Sequence, residues 1–168
     1  MARPLLALAC LALAACSEAP LDAAANVDLS RFQGKWYEIA KLPRPTQASC
    51  TGTTAFYTLR DGGLDLTSEC HLDALDGPRR TMTARASIAD GGDPAKLSLK
   101  VGGFSGDYFI LEVGPTYDYA LVGVPSRDYL WVLSRTPTLE PAKLDALVAS
   151  AKDKKFDTAR LEYTIQPR

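Results

Sequence analysis

Few side chains in this sequence have the chemistry of a nucleophile, a general base or a metal ligand. It contains one histidine, His71, and four cysteines, and His71 directly follows Cys70. A thiol beside a base can act as a nucleophile, but the chain has no Gly-x-Ser-x-Gly motif and no carboxylate pair that can be assigned to one interior. A single histidine without clustered acidic neighbours does not make a metal site. The sequence therefore predicts no enzyme, no metal and no cofactor, with His71 exposed at a strand end.

The N-terminal segment predicts export. Residues 5–15 form an apolar run that is shorter than the ~20 residues needed to span a bilayer, so residues 1–15 read as a cleaved signal peptide. The segment that ends at Cys16, Leu13-Ala14-Ala15-Cys16, resembles the lipobox of bacterial lipoproteins and implies acylation of Cys16. Ser17 then implies sorting to the outer membrane, facing the periplasm, with residues 16–26 as an acylated tether. The alternative is an ordinary signal that leaves a soluble periplasmic protein.

Cys50 and Cys70 are the side-chain thiols that remain in the predicted mature protein. They flank a hairpin centred on Asp61-Gly62-Gly63, and paired thiols persist as disulfides in the oxidising compartment that an exported chain meets. Counting outward from the turn puts the two cysteines a few residues out of register, so a bond between them requires a bulge or a folded-back loop. We expect this disulfide, and a catalytic or metal-binding thiol is the alternative.

Charge and length exclude some classes of protein. The 19 basic residues nearly balance 20 acidic ones, and no basic stripe is present. Nucleic acid is therefore not an expected partner. The roughly 150 residues that follow the signal fit a single domain, over residues 27–168 after the tether, with a sizeable core.

Alternating apolar and polar residues predict β-strands over most of this domain. The first strand begins at Trp36, the last of a run of eight ends at Arg135, and short turns separate the pieces between them. Apolar residues at helical spacing between 144 and 151 predict a helix, and residues 161–165 predict one further strand. Eight sequential strands favour an antiparallel up-and-down barrel, because closure removes exposed strand edges.

Three segments, in this order along the chain, resemble the sequence signatures of the lipocalins, and most closely those of bacterial lipoprotein lipocalins. They run from Phe32 to Ala40, from Tyr117 to Gly123 and from Arg127 to Pro137. The resemblance implies an all-β fold in which an eight-stranded barrel carries a C-terminal helix on its outside and a short extra strand. It also implies that Trp36 plugs the closed end of the barrel while Arg135 lies across its ring, a cation–π contact of about 1–2 kcal/mol.

A barrel of this size can hold one small ligand, and alternation predicts an apolar interior without a carboxylate. On residues 107–113 we expect Glu112 to face water, which leaves Phe109 and Leu111 inward. The predicted pocket consists of Ala55, Tyr57, Leu66, Met82, Ala84, Leu99, Phe109, Leu111 and Trp131. Apolar walls favour an alkyl chain, although the same residues would also suit a solid core.

With the resemblance, this interior predicts a lipid ligand, such as a fatty acid or lysophospholipid, that is stored or transported in the cell envelope. A membrane is the second expected partner, through the acyl chains at Cys16. The alternatives are a lipocalin-fold enzyme with a lipophilic substrate and a structural protein of the envelope. The sequence does not define an oligomeric state.

Overall fold

The computed structural model describes residues 19–89 and 92–167, so the predicted signal and Cys16 lie outside the described residues. Over the described ranges the chain forms nine strands, two α-helices and two short 3-10 turns, Pro45–Gln47 and Thr158–Arg160. The strands are β1 (Gly34–Lys41), β2 (Cys50–Arg60), β3 (Gly63–Leu72), β4 (Arg79–Ile88), β5 (Lys96–Val101), β6 (Phe104–Val113), β7 (Tyr119–Gly123), β8 (Leu130–Ser134) and β9 (Glu162–Tyr163). The helices are α1 (Leu29–Phe32) and α2 (Pro141–Asp153).

The first eight strands close into an antiparallel barrel. Each strand from β2 to β7 pairs with the next one along the chain, β8 pairs with β1, and β1 pairs with β2 to complete the ring. β9 adds to β1 outside the ring through pairs that include Ala40 with Tyr163. The predicted eight-stranded barrel with an outer helix and an extra strand is confirmed.

Two apolar layers hold the barrel and its helix together. The interior layer includes Trp36 and Val122, and the outer layer joins Leu121 to Leu147 and Ala151 of α2. Leu121 and Val122 are neighbours in β7 but belong to different layers, because successive side chains of a strand point to opposite faces. The barrel wall beneath α2 is therefore apolar on both faces.

The expectation that Phe109 and Leu111 face the interior is wrong. Both pack in the outer layer, while Tyr108 and Ile110 of the same strand belong to the interior layer. The register between β6 and β7 shifts between Ile110 and Glu112, and this bulge changes the phase of the alternation. Glu112 does point outward, where it accepts a hydrogen bond from a serine of α2 at 2.8 Å. The outward orientation of Glu112 therefore does not predict which residues face inward on the other side of the bulge.

Candidate functional site

The closed end of the barrel is plugged by Trp36, which is fully buried. Its Nε1 donates to the carbonyl of Phe32, the last residue of α1, at 2.7 Å. α1 begins at Leu29 because Asp28 caps it, with Oδ1 accepting the backbone N–H of Ser30 at 2.9 Å. The hydroxyl and backbone N–H of Ser30 together lower the pKa of the Asp28 carboxyl. This short helix therefore sets the position of the tryptophan.

Arg135 covers the Trp36 ring, with its Cζ 3.8 Å from the ring centroid. The guanidinium also donates to five backbone carbonyls at 2.8–3.3 Å, those of Arg31, Phe32, Gln33, Lys35 and Tyr117. Burial lowers the pKa of Arg135, but arginine remains a cation in proteins. One side chain thus joins α1, the start of β1 and the loop that precedes β7.

Gly34 makes room for this contact. Its φ of +97° lies in a region that L-residues rarely adopt, and a Cβ atom there would lie 3.3 Å from Nη1 of Arg135. A glycine two residues before Trp36 thus serves both the turn into β1 and the packing of the guanidinium.

The other end of the barrel opens into a cavity of about 730 Å³, counting the open space at its mouth. Six of the predicted pocket residues line it: Ala55, Tyr57, Leu66, Met82, Leu99 and Trp131. Ala84 packs against the interior layer. Phe109 and Leu111 lie outside the barrel wall, as described above. The interior is thus hollow toward the mouth and packed toward the base.

Two tyrosines face each other deep in the cavity. The hydroxyl oxygens of Tyr57 and Tyr108 are 2.5 Å apart, and both residues are buried. Burial raises the pKa of Tyr57 well above its ordinary value and that of Tyr108 to about 12. Both hydroxyls are therefore neutral near pH 7, and the hydrogen bond between them satisfies two polar groups that are buried from water.

Glu38 overturns the expectation of an interior without a carboxylate. It lines the cavity and is 3% exposed. Gln47 donates to its Oε2 at 2.9 Å and Thr164 to its Oε1 at 2.7 Å. Burial raises the pKa of this carboxyl. The signal was present in the sequence, because Glu38 lies two residues after Trp36 and shares its face of β1.

Arg44 is a second polar residue of the cavity that sequence reasoning missed. It lies in the β1–β2 connection, with its Cζ 4.7 Å from the ring centroid of Tyr129 and 5.0 Å from that of Trp131. Its Nε is buried and has no hydrogen-bond partner among the described residues. Burial lowers the pKa of Arg44, although the group remains cationic. A loop between two strands gives no alternation from which this placement could be predicted.

The predicted disulfide between Cys50 and Cys70 is confirmed, with the two Cα atoms 5.4 Å apart. In the β2–β3 ladder Cys50 lies opposite Leu72, and the register shifts between Thr51 and Thr54. This is the bulge that the residue count required. The bridge lies in the cavity wall, toward the mouth.

His71 lies at the end of β3, as expected, but it is half-buried, so the expected exposure is wrong. Its Nδ1 lies 2.9 Å from the carbonyl oxygen of Gly77, so it braces the β3–β4 loop. Among residues 19–89 and 92–167, no three His, Cys, Asp or Glu side chains gather as a metal site. Neither helix in the described part of the chain is long and apolar enough to span a membrane.

Comparisons with known proteins agree with this geometry. Residues 27–166 match the model of the lipocalin-like domain family. The outer membrane lipoprotein Blc of Vibrio cholerae is 34% identical over 144 residues, covering 84% of each protein. The Blc protein of Escherichia coli K12 is 35% identical over 148 residues, covering 84% of this chain and 81% of the relative. Temperature-induced lipocalin-1 of Arabidopsis thaliana is 34% identical, with coverage of 87% and 83%.

Solved structures show the same fold at lower sequence identity. Lobster apocrustacyanin A1 superposes with a TM-score of 0.69 at 20% identity, covering 83% of this chain and 79% of that one. Insecticyanin of the tobacco hornworm Manduca sexta superposes with a TM-score of 0.67, also at 20% identity, with coverage of 89% and 84%. At this identity the likeness concerns the fold.

Proposed function

This chain belongs to the lipocalin family, and from that premise we propose that it binds a single-chain amphiphile in its cavity. The ligand is a fatty acid, a lysophospholipid or a similar lipid, with its tail inside the barrel and its head group at the mouth. The protein stores or transports this lipid in the cell envelope.

The cavity is the observation that carries this proposal. It is concave, opens at one end and has a mainly apolar lining with a few polar groups, as small-molecule sites usually do. Leu66, Met82 and Leu99 offer an apolar surface, and each methylene group that leaves water contributes about 0.8 kcal/mol. Arg44 at the mouth has a buried N–H without a partner among the described residues, which suits an anionic head group.

We propose binding without catalysis. Cys50 and Cys70 are joined to each other, and the ring of His71 contacts a backbone carbonyl of its own loop. Glu38 is the one acid among the residues that line the described cavity. Its two partners there are an amide and a hydroxyl, neither of which is a general base of the kind that assists nucleophilic catalysis.

We further propose that acyl chains on Cys16 anchor the protein in the bacterial outer membrane, facing the periplasm. The names of the Blc relatives, outer membrane lipoproteins, support this location. Intact-mass measurement of the purified chain tests it directly. We expect cleavage before Cys16 and the added mass of the acyl groups, and Cys16→Ser should abolish the addition. An unmodified mature chain would exclude the anchor.

Titration of the delipidated protein with a fluorescent fatty acid tests the ligand proposal. We expect saturable binding at micromolar concentration, with one probe bound per chain. Met82→Trp should weaken binding at least tenfold, because the larger side chain enters the cavity. Thr83→Trp is the matched control, since Thr83 is the next residue in β4 and is exposed. A folded protein without saturable binding, or equal affinities of the two variants, would contradict the proposal.

A further inference from the structure

Exposed apolar side chains surround the open end of the barrel. In an up-and-down barrel, alternate connections lie at the same end, here those of β1–β2, β3–β4, β5–β6 and β7–β8. This end is the open one, because residues of the β1–β2 connection line the cavity mouth. Leu75 lies in the β3–β4 loop, Phe104 directly after the β5–β6 turn and Tyr129 at the end of the β7–β8 loop. Their exposed fractions are 39%, 84% and 37%. We call these three residues the mouth rim.

The N-terminal segment reaches the same end of the barrel. The carbonyl of Ala19, the first described residue, accepts a hydrogen bond from Arg127 of the β7–β8 loop at 2.7 Å. Leu21 is buried in the outer layer, and the N–H of Ala24 donates to the carbonyl of Ile110 at 2.8 Å. Residues 19–24 are therefore docked along the barrel wall, with Ala19 beside the mouth.

Cys16 precedes Ala19 by three residues, and three extended residues span at most about 11 Å. A strand of ten residues such as β6 is about 33 Å long. An anchor at Cys16 therefore starts close to the mouth rim. It could bring the closed end to a membrane only if the contacts of Ala19, Leu21 and Ala24 were released.

We propose that the mouth rim docks on the phospholipid bilayer that holds the anchor, so that the cavity opens toward the membrane surface. This inference rests on the acylation proposed above. Phe104 and Leu75 gain apolar surroundings at the boundary between head groups and acyl chains, and Tyr129 suits the interface because its ring is apolar and its hydroxyl polar. A lipid would then move between the bilayer and the cavity without crossing bulk water.

Tryptophan quenching in vesicles tests the orientation. The full-length acylated protein is reconstituted in phosphatidylcholine–phosphatidylglycerol vesicles that contain brominated acyl chains, which quench nearby indoles. Phe104→Trp reports on the mouth rim. Phe56→Trp is the matched control, because Phe56 is also exposed (51%) and lies on β2 nearer the closed end. The unsubstituted protein supplies the background of Trp36 and Trp131, and circular dichroism confirms that both variants are folded.

We expect brominated vesicles to quench the Phe104→Trp signal at least threefold more than the Phe56→Trp signal. Equal quenching, no quenching of either, or stronger quenching of Phe56→Trp would overturn the docking proposal. A blue shift of Phe104→Trp that depends on protein concentration and needs no lipid would also overturn it, in favour of a second copy on this surface. An unacylated intact mass removes the anchor and the docking proposal together, whereas an acylated chain whose Phe104→Trp signal is unquenched removes only the docking. The fatty-acid titration reports separately on ligand binding.

Discussion

Replacement of Arg135 tests whether the cation over Trp36 stabilises the closed end of the barrel. Arg135→Met keeps a side chain of similar length and removes the charge and every N–H donor. Arg135→Lys keeps the charge and loses the planar fork that reaches five carbonyls. The two variants therefore separate the cation–π contact from the hydrogen bonds.

The expected cost follows from the contacts. The cation–π interaction is worth about 1–2 kcal/mol, and the half-buried bond to the carbonyl of Tyr117 about 1.5 kcal/mol. The bonds to Arg31, Gln33 and Lys35 are exposed and contribute about 0.5 kcal/mol or less each, because water replaces them. Loss of the bond to Phe32 costs little, because its carbonyl still accepts a hydrogen bond from the Trp36 indole. We expect Arg135→Met to lower the free energy of unfolding by about 4 kcal/mol and Arg135→Lys by about 2 kcal/mol.

Urea unfolding, followed by circular dichroism and tryptophan fluorescence, measures these differences. Lys143→Met is the control, because Lys143 also lies over an aromatic ring, 5.4 Å from the centroid of Tyr119, but is exposed on α2. The urea midpoint of Lys143→Met should match that of the unsubstituted protein. A loss below about 1 kcal/mol in Arg135→Met, with an unchanged m-value, would show that the shielded cation does not stabilise the closed end.

Three further results are expected. Replacing Cys50 and Cys70 together by serine should cost about 3 kcal/mol in urea unfolding, because the bond closes a loop over a sequence separation of 20 residues; no loss would contradict the role of the bridge. Burial raises the pKa of Glu38, so the native state holds this proton more tightly than the unfolded chain does, and its contribution to stability is lost as pH rises. The stability of Glu38→Gln relative to the unsubstituted protein should therefore increase from about pH 4 to about pH 7, and a pH-independent difference would contradict the raised pKa. Leu111→Ala should cost about 2–4 kcal/mol and leave fatty-acid affinity unchanged, whereas Leu66→Ala should change both, and a loss of affinity in Leu111→Ala would contradict its place outside the wall.

Much of the fold could be predicted because its signals are local or come from a few residues with one geometric role. Alternation identifies strands such as β4 and β5, whose outer faces meet water and whose inner faces do not. The pairing of Cys50 with Cys70 was expected because they are the two thiols left in the predicted mature chain and flank one hairpin. The resemblance to the lipocalins implied the contact of Trp36 with Arg135.

The interior could be predicted only in part. On β6 the apolar residues occur on both faces, since α2 covers the outer one, so alternation there carries no information about direction. A single bulge then moves Phe109 and Leu111 from the expected pocket to the outer layer. Alternation on β1 puts Glu38 on the inward face with Trp36, but a carboxylate was not expected there because its partners lie elsewhere in the chain. Gln47 is in a loop and Thr164 is distant in sequence, and their hydrogen bonds make the buried acid tolerable.

The amino-acid sequence alone therefore determined the class of fold and the disulfide, because periodicity and chain order are properties of the chain itself, and the resemblance of its motifs to those of the lipocalins added the plugged end. The tertiary structure alone decided which walls are covered, which polar groups enter the cavity and where the N-terminal segment lies. These features depend on contacts between segments far apart in the sequence, and a bulge or a docked loop changes them without leaving a periodic signal.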